Sequence, residues 1–366
     1  MNVKRADEII PWKVTDISLR PFKEMWSFNP SIHFDGQLWR CVLRCSDYAM
    51  PGGTAIRSSR AKPGESRTKN AMVIFDPASW KPVEIYKMPE RDDLLRAPSG
   101  SVGYEDIRIF RTDRHGLQGI AAALHLRRAD SDPQLAEQVL LSFDEEYNVV
   151  EARPIRGSSW SGVPQKNWVP FDHCAEPRFL YAIDKGTLLD ERGELRAREA
   201  VVRPSSRVRR SNQPDLRTIK RAQERARETE REREREQLRA ERRRHNAQCV
   251  PSGADPDVRS CEGLRGGTQL VRIDDNSWLA VGHGMKFVDN LKYYWHVWYL
   301  VDAHGKLTAA SPPMKLVGNG IEFAAGLAID GERVVVSFGV DDMQCRIGET
   351  RLSAVIEALR PVERHQ

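Results

Sequence analysis

From residue 26 almost to its end, the chain alternates short apolar runs with polar turns. One arrangement recurs at irregular distances: two apolar residues, an Asp, a short polar turn and a second half-apolar stretch. The copies are IFDPASWKPVEI around Asp76, SFDEEYNVVEA around Asp144, LLDERGELRAR around Asp190 and LVDAHGKLTAA around Asp302. A period of two predicts strands, and Asp with Gly, Asn or Pro supplies turn chemistry, so each copy predicts a β-hairpin. One hairpin cannot bury its apolar face alone, which implies several sheets stacked or repeated about an axis.

An apolar strand pair precedes each hairpin. The pairs are FNPSIHF with LWRCVLR (28–34, 38–44), EDIRIF with GIAAALHL (105–110, 119–126), NWVPF with RFLYAI (167–171, 178–183), and TQLVRI with SWLAVGH (268–273, 277–283). A fifth unit opens with IEFAAGLAI and RVVVSFGV (321–329, 333–340), and CRIGETRL (345–352) adds a third strand. This organisation predicts an all-β fold, a five-bladed β-propeller.

The unit openings fall near 29, 105, 167, 267 and 322, and the long interval before the fourth holds a charged segment. PDLRTIKRAQERARETEREREREQLRAERRRHN is helical by propensity and starts well at Pro214-Asp215. It lacks an apolar stripe that could dock on a core, and its opposite charges fall mainly at i,i+3, as in Glu228–Arg231 and Glu230–Arg233. A solvated helical insertion is expected; the alternatives are a nucleic-acid or acidic-partner contact through Arg242, Arg243 and Arg244, and a protein partner on 213–246. The expected domains are residues 1–204 with blades one to three, 205–260 as linker and charged helix, and 261–366 with blades four and five and a C-terminal tail.

Composition adjusts this picture in three ways. At 366 residues, 40% hydrophobic with nine Trp, the chain can bury the core of one large all-β domain plus an insertion. The net charge of +5 is concentrated: Asp215 to Arg244 holds twelve Arg or Lys against eight Asp or Glu, a difference of +4. The remainder is close to neutral, which disfavours nucleic acid as a partner. The start MNVKRADEIIPWKV lacks the apolar core of a secretory signal, and no stretch approaches the roughly 18 apolar residues of a membrane span. A cytoplasmic protein without a membrane span is therefore expected. Its six cysteines (41, 45, 174, 249, 261 and 345) contain no CxxC pair, so free thiols are expected, with Cys41 and Cys45 packed on one face of a strand.

Polar groups stand at strand starts where purely structural strands would carry apolar ones. They are Asn29, Glu105-Asp106 with Arg108, Lys166-Asn167, Arg265 to Gln269 with His283 at the end of the same unit, Glu322, and Asp341-Asp342. The first strand of each propeller blade lines the central channel, so these groups are expected to converge there. Carboxylates beside Arg, Lys and His in one cleft supply general acid catalysis and anion binding. Structural roles compete: turn caps for Asp341 and Asp342, and an ion pair between blades for Glu105 with Arg108. The aromatics Tyr293, Tyr294, Trp295, Trp298 and Tyr299 could stack on sugar rings or simply pack between blades.

FNPSI, GYEDIRIF, KNWVPF, RGGTQLV and IEFAAGLA with SFGVDD, in that order, resemble the five-bladed propellers of the β-mannoside phosphorylase family, glycoside hydrolase family 130, and its glycosyltransferase-associated relatives. The resemblance runs from about residue 26 to 348, outside the insertion. It implies a carbohydrate-active enzyme moving a hexosyl, in that family mannosyl, unit between a glycoside and phosphate or another acceptor. Asp106 matches the family's catalytic acid, with Ile107 where the family's Glu-Asp-Pro-Arg motif has Pro. Arg108 then accompanies the acid, and Lys166, with Arg108 and His283, holds inorganic phosphate as co-substrate. Asn29, Arg44 and His283 are implied as pocket residues, and the polar strand starts Glu105, Arg108, Asn167, Gln269, Glu322 and Asp342 are the further substrate-binding candidates. No metal or other cofactor is implied. A hydrolase would need a second carboxylate about 6.5–9.5 Å from the acid, for which Glu322 and Asp342 are the candidates. The competing reading is a non-catalytic propeller that binds glycan or scaffolds glycan assembly.

Overall fold

The computed structural model describes residues 3–59, 61, 66–89, 101–123, 137–155, 167–195, 263–288, 291–318 and 320–362. The chain divides into two compact units, one of Asn2–Arg196 with Asp255–Gln366 and one of Met1 with Ala197–Ala254; all described residues belong to the first. The expected insertion 205–260, its charged helix, and Lys166 lie outside the described residues.

The described residues form a five-bladed propeller. Blade one is an antiparallel meander of Trp26–Phe34, Trp39–Ser46, Ser66–Phe75 and Pro82–Met88. Blade two repeats it with Tyr104–Thr112, Gly116–Ala123, Glu137–Phe143 and Val149–Ile155. The third is smaller, with Val169–Pro170, Phe179–Ala182 and Thr187–Leu189, and Leu189 bridges on to Leu195. Blade four has a broken inner strand, Arg265–Gly266 then Val271–Arg272, against the long hairpin Ser277–Val288 and Leu291–Asp302, followed by Leu307–Ala310. Blade five consists of Glu322–Asp330, Arg333–Val340 and Gln344–Arg351, and takes its outer strand from the start of the chain: Lys13–Asp16 pairs antiparallel with Gln344–Arg351. A short helix, Leu352–Ala358, follows and buries Val355.

The blade count also follows from the core, which among the described residues falls into five apolar clusters, one at each blade-to-blade junction. Val42, Met72 and Ile74 meet Ile107, Ile109 and Ala121 between blades one and two. Phe110 and Leu140 meet Trp168 and Phe179 between two and three. Val169 and Leu180 meet Trp278 and Val297 between three and four. Val281 and Trp298 meet Val336 and Phe338 between four and five. Trp39, Leu43 and Phe75 meet Val335 and Ile347 between five and one, which closes the ring. A blade strand is thus apolar on both faces, odd positions toward one neighbour and even toward the other, as the pleat requires. Cys41 and Cys45 share the face toward blade five, and Cys41, Cys45, Cys174 and Cys345 are free thiols.

The Asp hairpins join the third and fourth strands of blades one to four. In each, the Asp carboxylate accepts backbone N–H groups across the turn: Ala78 and Ser79 onto Asp76, Glu146 and Asn148 onto Asp144, Arg192 and Glu194 onto Asp190, His304 and Lys306 onto Asp302. One residue of each turn is left-handed: Trp80, Tyr147, Gly193 and Gly305. At Asp144, Asp190 and Asp302 the backbone closes from i to i+3 at the left-handed residue, a common way to end a short hairpin, whereas the Asp76 loop is one residue longer and closes from i to i+4. The fifth blade has no such turn because its fourth strand arrives from the other end of the chain.

Hydrogen bonds fill the axis. The Gln269 side chain donates to the carbonyls of Ile32 (2.7 Å) and Leu327 (2.6 Å) and accepts from Leu327 N (3.1 Å), tying blade four to blades one and five. The Ile109 N–H donates to Ser31 Oγ (3.0 Å) and the Leu270 N–H to the Pro170 carbonyl (2.8 Å). Polar groups on the inner strands therefore collect on either side of this crossing, at two separate mouths.

No helix among the described residues is long and apolar enough to cross a membrane.

Candidate functional site

At the mouth where the inner strands of blades one and two begin, the same device occurs twice. Each strand carries a bulge, between Phe28 and Ser31 in blade one and between Glu105 and Arg108 in blade two. The bulged residues Asn29 (φ 47°) and Asp106 (φ 51°) are left-handed, a conformation that costs an L-residue about 1 kcal/mol or more. Bulges re-aim side chains, and here they bring the two together: Asn29 Nδ2 donates to Asp106 Oδ1 at 2.8 Å. Gly339 of blade five allows this approach, because a Cβ there would lie 2.2 Å from Asn29 Oδ1.

Arg44, on the second strand of blade one, sits between the carboxylates. Its Nη1 donates to Asp106 Oδ1 at 2.9 Å, its Nη2 lies 3.1 Å from Glu105 Oε1, and the same Nη2 donates to Tyr48 Oη at 2.9 Å. The guanidinium also stacks 4.9 Å from the Phe28 ring. The side chains of Arg44, Glu105 and Asp106 keep 5%, 9% and 13% exposure, so the group is mostly desolvated but opens on solvent at Asp106. Burial opposes the charge on Arg44, yet Glu105, Asp106, Tyr48 and Asp342 together hold its pKa well above the ordinary value.

Asp342 completes the cluster. It occupies the tight turn between the second and third strands of blade five, where both Asp341 and Asp342 are left-handed, as an I′ turn requires. Burial pushes its carboxyl up to about 6; Arg44 and Lys292 oppose that rise, while Asp106 and Glu105 add to it. Asp341 has a structural part, accepting the Ile321 N–H at 2.8 Å. Tyr294 lies near the same group: burial and the negative charge of Asp342 raise its phenol pKa. Arg265 and Lys292 are exposed basic residues whose charges reach this mouth.

The other expected site residues lie deeper. Arg108 is buried; its guanidinium donates to the Gly267 carbonyl and to Asn167 Oδ1 (3.0 Å), and desolvation lowers its pKa to about 10. It therefore pins blade two to blades three and four, with Asn167 as its partner, and its position does not suit a phosphate ligand. Glu105 pairs with Arg44, and no ion pair joins it to Arg108 among the described contacts. His283 is buried against Tyr294 and Phe323, and desolvation holds its imidazole well below the usual value, hence neutral and poorly suited to phosphate. Gln269 forms the axial crossing already described rather than facing a substrate. Glu322 is fully buried and accepts the N–H groups of Leu316, Val317 and Gly318 at 2.7–2.9 Å, which fixes the loop before blade five. Burial raises its pKa, and its place in the loop removes it from the candidates for a second carboxylate. Of the aromatic run, Trp298 and Tyr299 are core residues, whereas Tyr293, Tyr294 and Trp295 are half-buried.

Three residues at this mouth escaped the reading of strand starts: Tyr48, Lys292 and Phe28. Tyr48 follows the second strand of blade one, Lys292 lies on a hairpin arm of blade four, and Phe28 reads as an ordinary apolar strand position.

No family model matches the chain, and no curated protein matches it in sequence. Solved structures do match it in fold. The β-1,2-mannobiose phosphorylase from Listeria innocua, in complex with β-1,2-mannobiose, superposes with a TM-score of 0.53 at 10% identity, covering 98% of this chain and 99% of that one. A glycosyl hydrolase from Bacteroides ovatus gives a TM-score of 0.51 at 10% identity, covering 100% and 96%. At such identity the likeness establishes a shared fold over the full length.

Proposed function

We propose that the chain is a carbohydrate-active enzyme that moves a hexosyl unit between a glycoside and inorganic phosphate or another acceptor. The observation that carries this reading is the gathering of three carboxyl groups, Glu105, Asp106 and Asp342, around the one guanidinium of Arg44 at an open mouth. Burial and the neighbouring carboxylates raise the Asp342 carboxyl to about 6, so this cluster holds a proton more tightly than a free carboxylate does, as a general acid must. Asp106 delivers that proton to the glycosidic oxygen as its bond to the sugar breaks, and Asp342 is the neighbour that keeps a proton in the cluster. The acceptor attacks the opposite face of the sugar; a phosphate acceptor would meet Arg265 and Lys292, with Lys166 as a further candidate. In a hydrolytic version Asp342 would serve as the base. The fold shared with a mannobiose phosphorylase makes β-mannosides the first substrates to try.

The Asp106–Arg44 ion pair favours a second reading, a non-catalytic propeller that binds or scaffolds glycan. A screen of β-mannosides and other glycosides, with and without phosphate, separates the two. The enzyme reading expects sugar phosphate or free sugar to appear, and Asp106→Asn to slow its release by about 10²–10⁴-fold with binding retained. Glycan binding without turnover under any condition would sink it in favour of the second.

A further inference from the structure

At the second mouth, beyond the Gln269 crossing, a different cluster forms. His33 lies near the end of the inner strand of blade one, four residues past Asn29, so roughly 13 Å from the carboxylate site along the strand. Asp172 and His173 follow the inner strand of blade three. His33 Nε2 is 3.8 Å from Asp172 Oδ1, His173 Nε2 is 3.8 Å from Asp172 Oδ2, and ligand atoms of all three lie within 4.8 Å of one another. None of these separations is a hydrogen bond.

The second observation is His33 itself. Its side chain is 3% exposed, and neither ring nitrogen has a hydrogen-bond partner. A buried polar group left so costs about 1–3 kcal/mol, which ordinary packing avoids. Asp172 is held in place, accepting the Arg111 N–H at 2.6 Å and donating its own N–H to the Leu270 carbonyl. His173, whose side chain is 49% exposed, faces the solvent side.

We propose that His33, Asp172 and His173 bind a divalent first-row cation such as Zn²⁺, which clasps blades one and three across the axis. Two imidazoles and a carboxylate are a donor set that zinc favours, and tetrahedral ligands on bonds of about 2.0–2.2 Å lie some 3.3–3.5 Å apart, so a closure of up to about an ångström, within reach of the exposed His173 side chain, completes the site. His33 Nε2 gains the partner it lacks, and the exposed side leaves a fourth position for water. Burial lowers the pKa of His33, which keeps the ring in its ligating neutral form. The cations whose charges reach His33 are Arg111, exposed, and Arg40, which is paired with Asp35 and donates to Tyr147 Oη.

The test is a titration of Zn²⁺ into chelator-stripped full-length protein, read by calorimetry and by melting temperature, with Co²⁺ as a visible-absorption probe of four-coordination. The expected result is one tight Zn²⁺ per chain, a rise in melting temperature with Zn²⁺ but not Ca²⁺, and affinity at least about ten-fold weaker in His173→Ala and Asp172→Asn. His173 is exposed, and Asp172→Asn keeps the size and an acceptor oxygen of a buried side chain, whereas loss of His33 disturbs packed blades. His115→Ala removes a surface histidine beside Glu176 and should bind as wild type. Absence of binding in wild type overturns the proposal, as does undiminished affinity in both ligand variants or loss of binding through His115→Ala.

Discussion

Asp342 is half-buried, and that burial changes how its carboxyl holds a proton. Its carboxyl is pushed up to about 6 in the folded chain from an ordinary 3.8, so the folded state holds the proton more tightly than the unfolded one. The associated stability is fully present below about pH 4 and is lost as pH rises through about 6. Asp342→Asn should remove that slope and raise stability at pH 7–8 by about 1–2 kcal/mol, after discounting for solvent screening. Urea melts of both proteins between pH 4 and 8 would check this; parallel curves would refute it. A second expectation concerns Gly339. Alanine there places Cβ against Asn29 Oδ1 and 2.7 Å from its backbone N, so Gly339→Ala should displace Asn29, cost about 1–3 kcal/mol and impair glycan binding or turnover while the β-rich far-UV signature persists. At this scale the sequence was partly legible. Asn29, Asp106 and Asp342 stood out as polar residues at strand ends, and the structure brings them together. Arg44 had no such signal, because a mid-strand Arg reads as solvent-facing unless a carboxylate cluster waits on that face, and it entered through the family resemblance. His33 inside FNPSIHF gave no sign of Asp172 and His173, some 140 positions away.

At the scale of the element, the recurring Asp was the clearest signal, and its meaning is local. Each carboxylate holds a turn by accepting backbone N–H groups that would otherwise point at solvent. Asp302→Ala, losing the bonds from His304 and Lys306, should cost about 1–2 kcal/mol, with Asp302→Asn costing less because it keeps an acceptor oxygen. Gly305 should tolerate less: it is left-handed (φ 73°), and a Cβ there would sit 2.6 Å from Leu188 Cδ2. Gly305→Ala is therefore expected to destabilise more than Asp302→Ala in thermal melts, and the reverse order would contradict this account. Four Asp turns serve five blades, and the fifth blade lacks one because its outer strand comes from the start of the chain. Strand lengths were harder to read. The inner strand of blade four reads as one run, TQLVRI, but breaks where Thr268 Oγ1 accepts the Val281 N–H and Gln269 turns to the axis. Hydrophobicity does not record such a side chain-to-backbone substitution.

On the whole-molecule scale, the ring is held by five apolar junctions and sealed by Lys13–Asp16 on the edge of blade five. The residues before 26 carried no visible strand signal, since KVTD is short and polar, and its place is fixed by its pairing and by neighbouring Trp12, which donates to the Leu316 carbonyl and packs over Gly348. Removing residues 2–18 should lower the melting temperature by about 10 °C or more and promote association through the bared edge strand. A peptide of residues 3–18 added in trans should reverse part of both effects; an unchanged, monomeric truncated chain would show that the seal is ornamental. Replacing 213–246 by a short Gly/Ser linker, in contrast, is expected to shift melting by only a few degrees. The seal also bears on biosynthesis. The strand that closes the ring, Lys13–Asp16, leaves the ribosome before the blades do, and its partner, Gln344–Arg351, emerges only after blades one to four. While blades one to four are being made, the growing chain therefore carries an unmatched strand ahead of a row of open blades. The pairing that joins them links residues 330 to 336 positions apart (Asp16 to Arg346, Lys13 to Glu349), which slows the closing step of folding. Nascent chains of this protein should accordingly remain protease-sensitive until Gln344–Arg351 has emerged, and a permuted chain with residues 3–18 moved behind residue 362 should mature sooner.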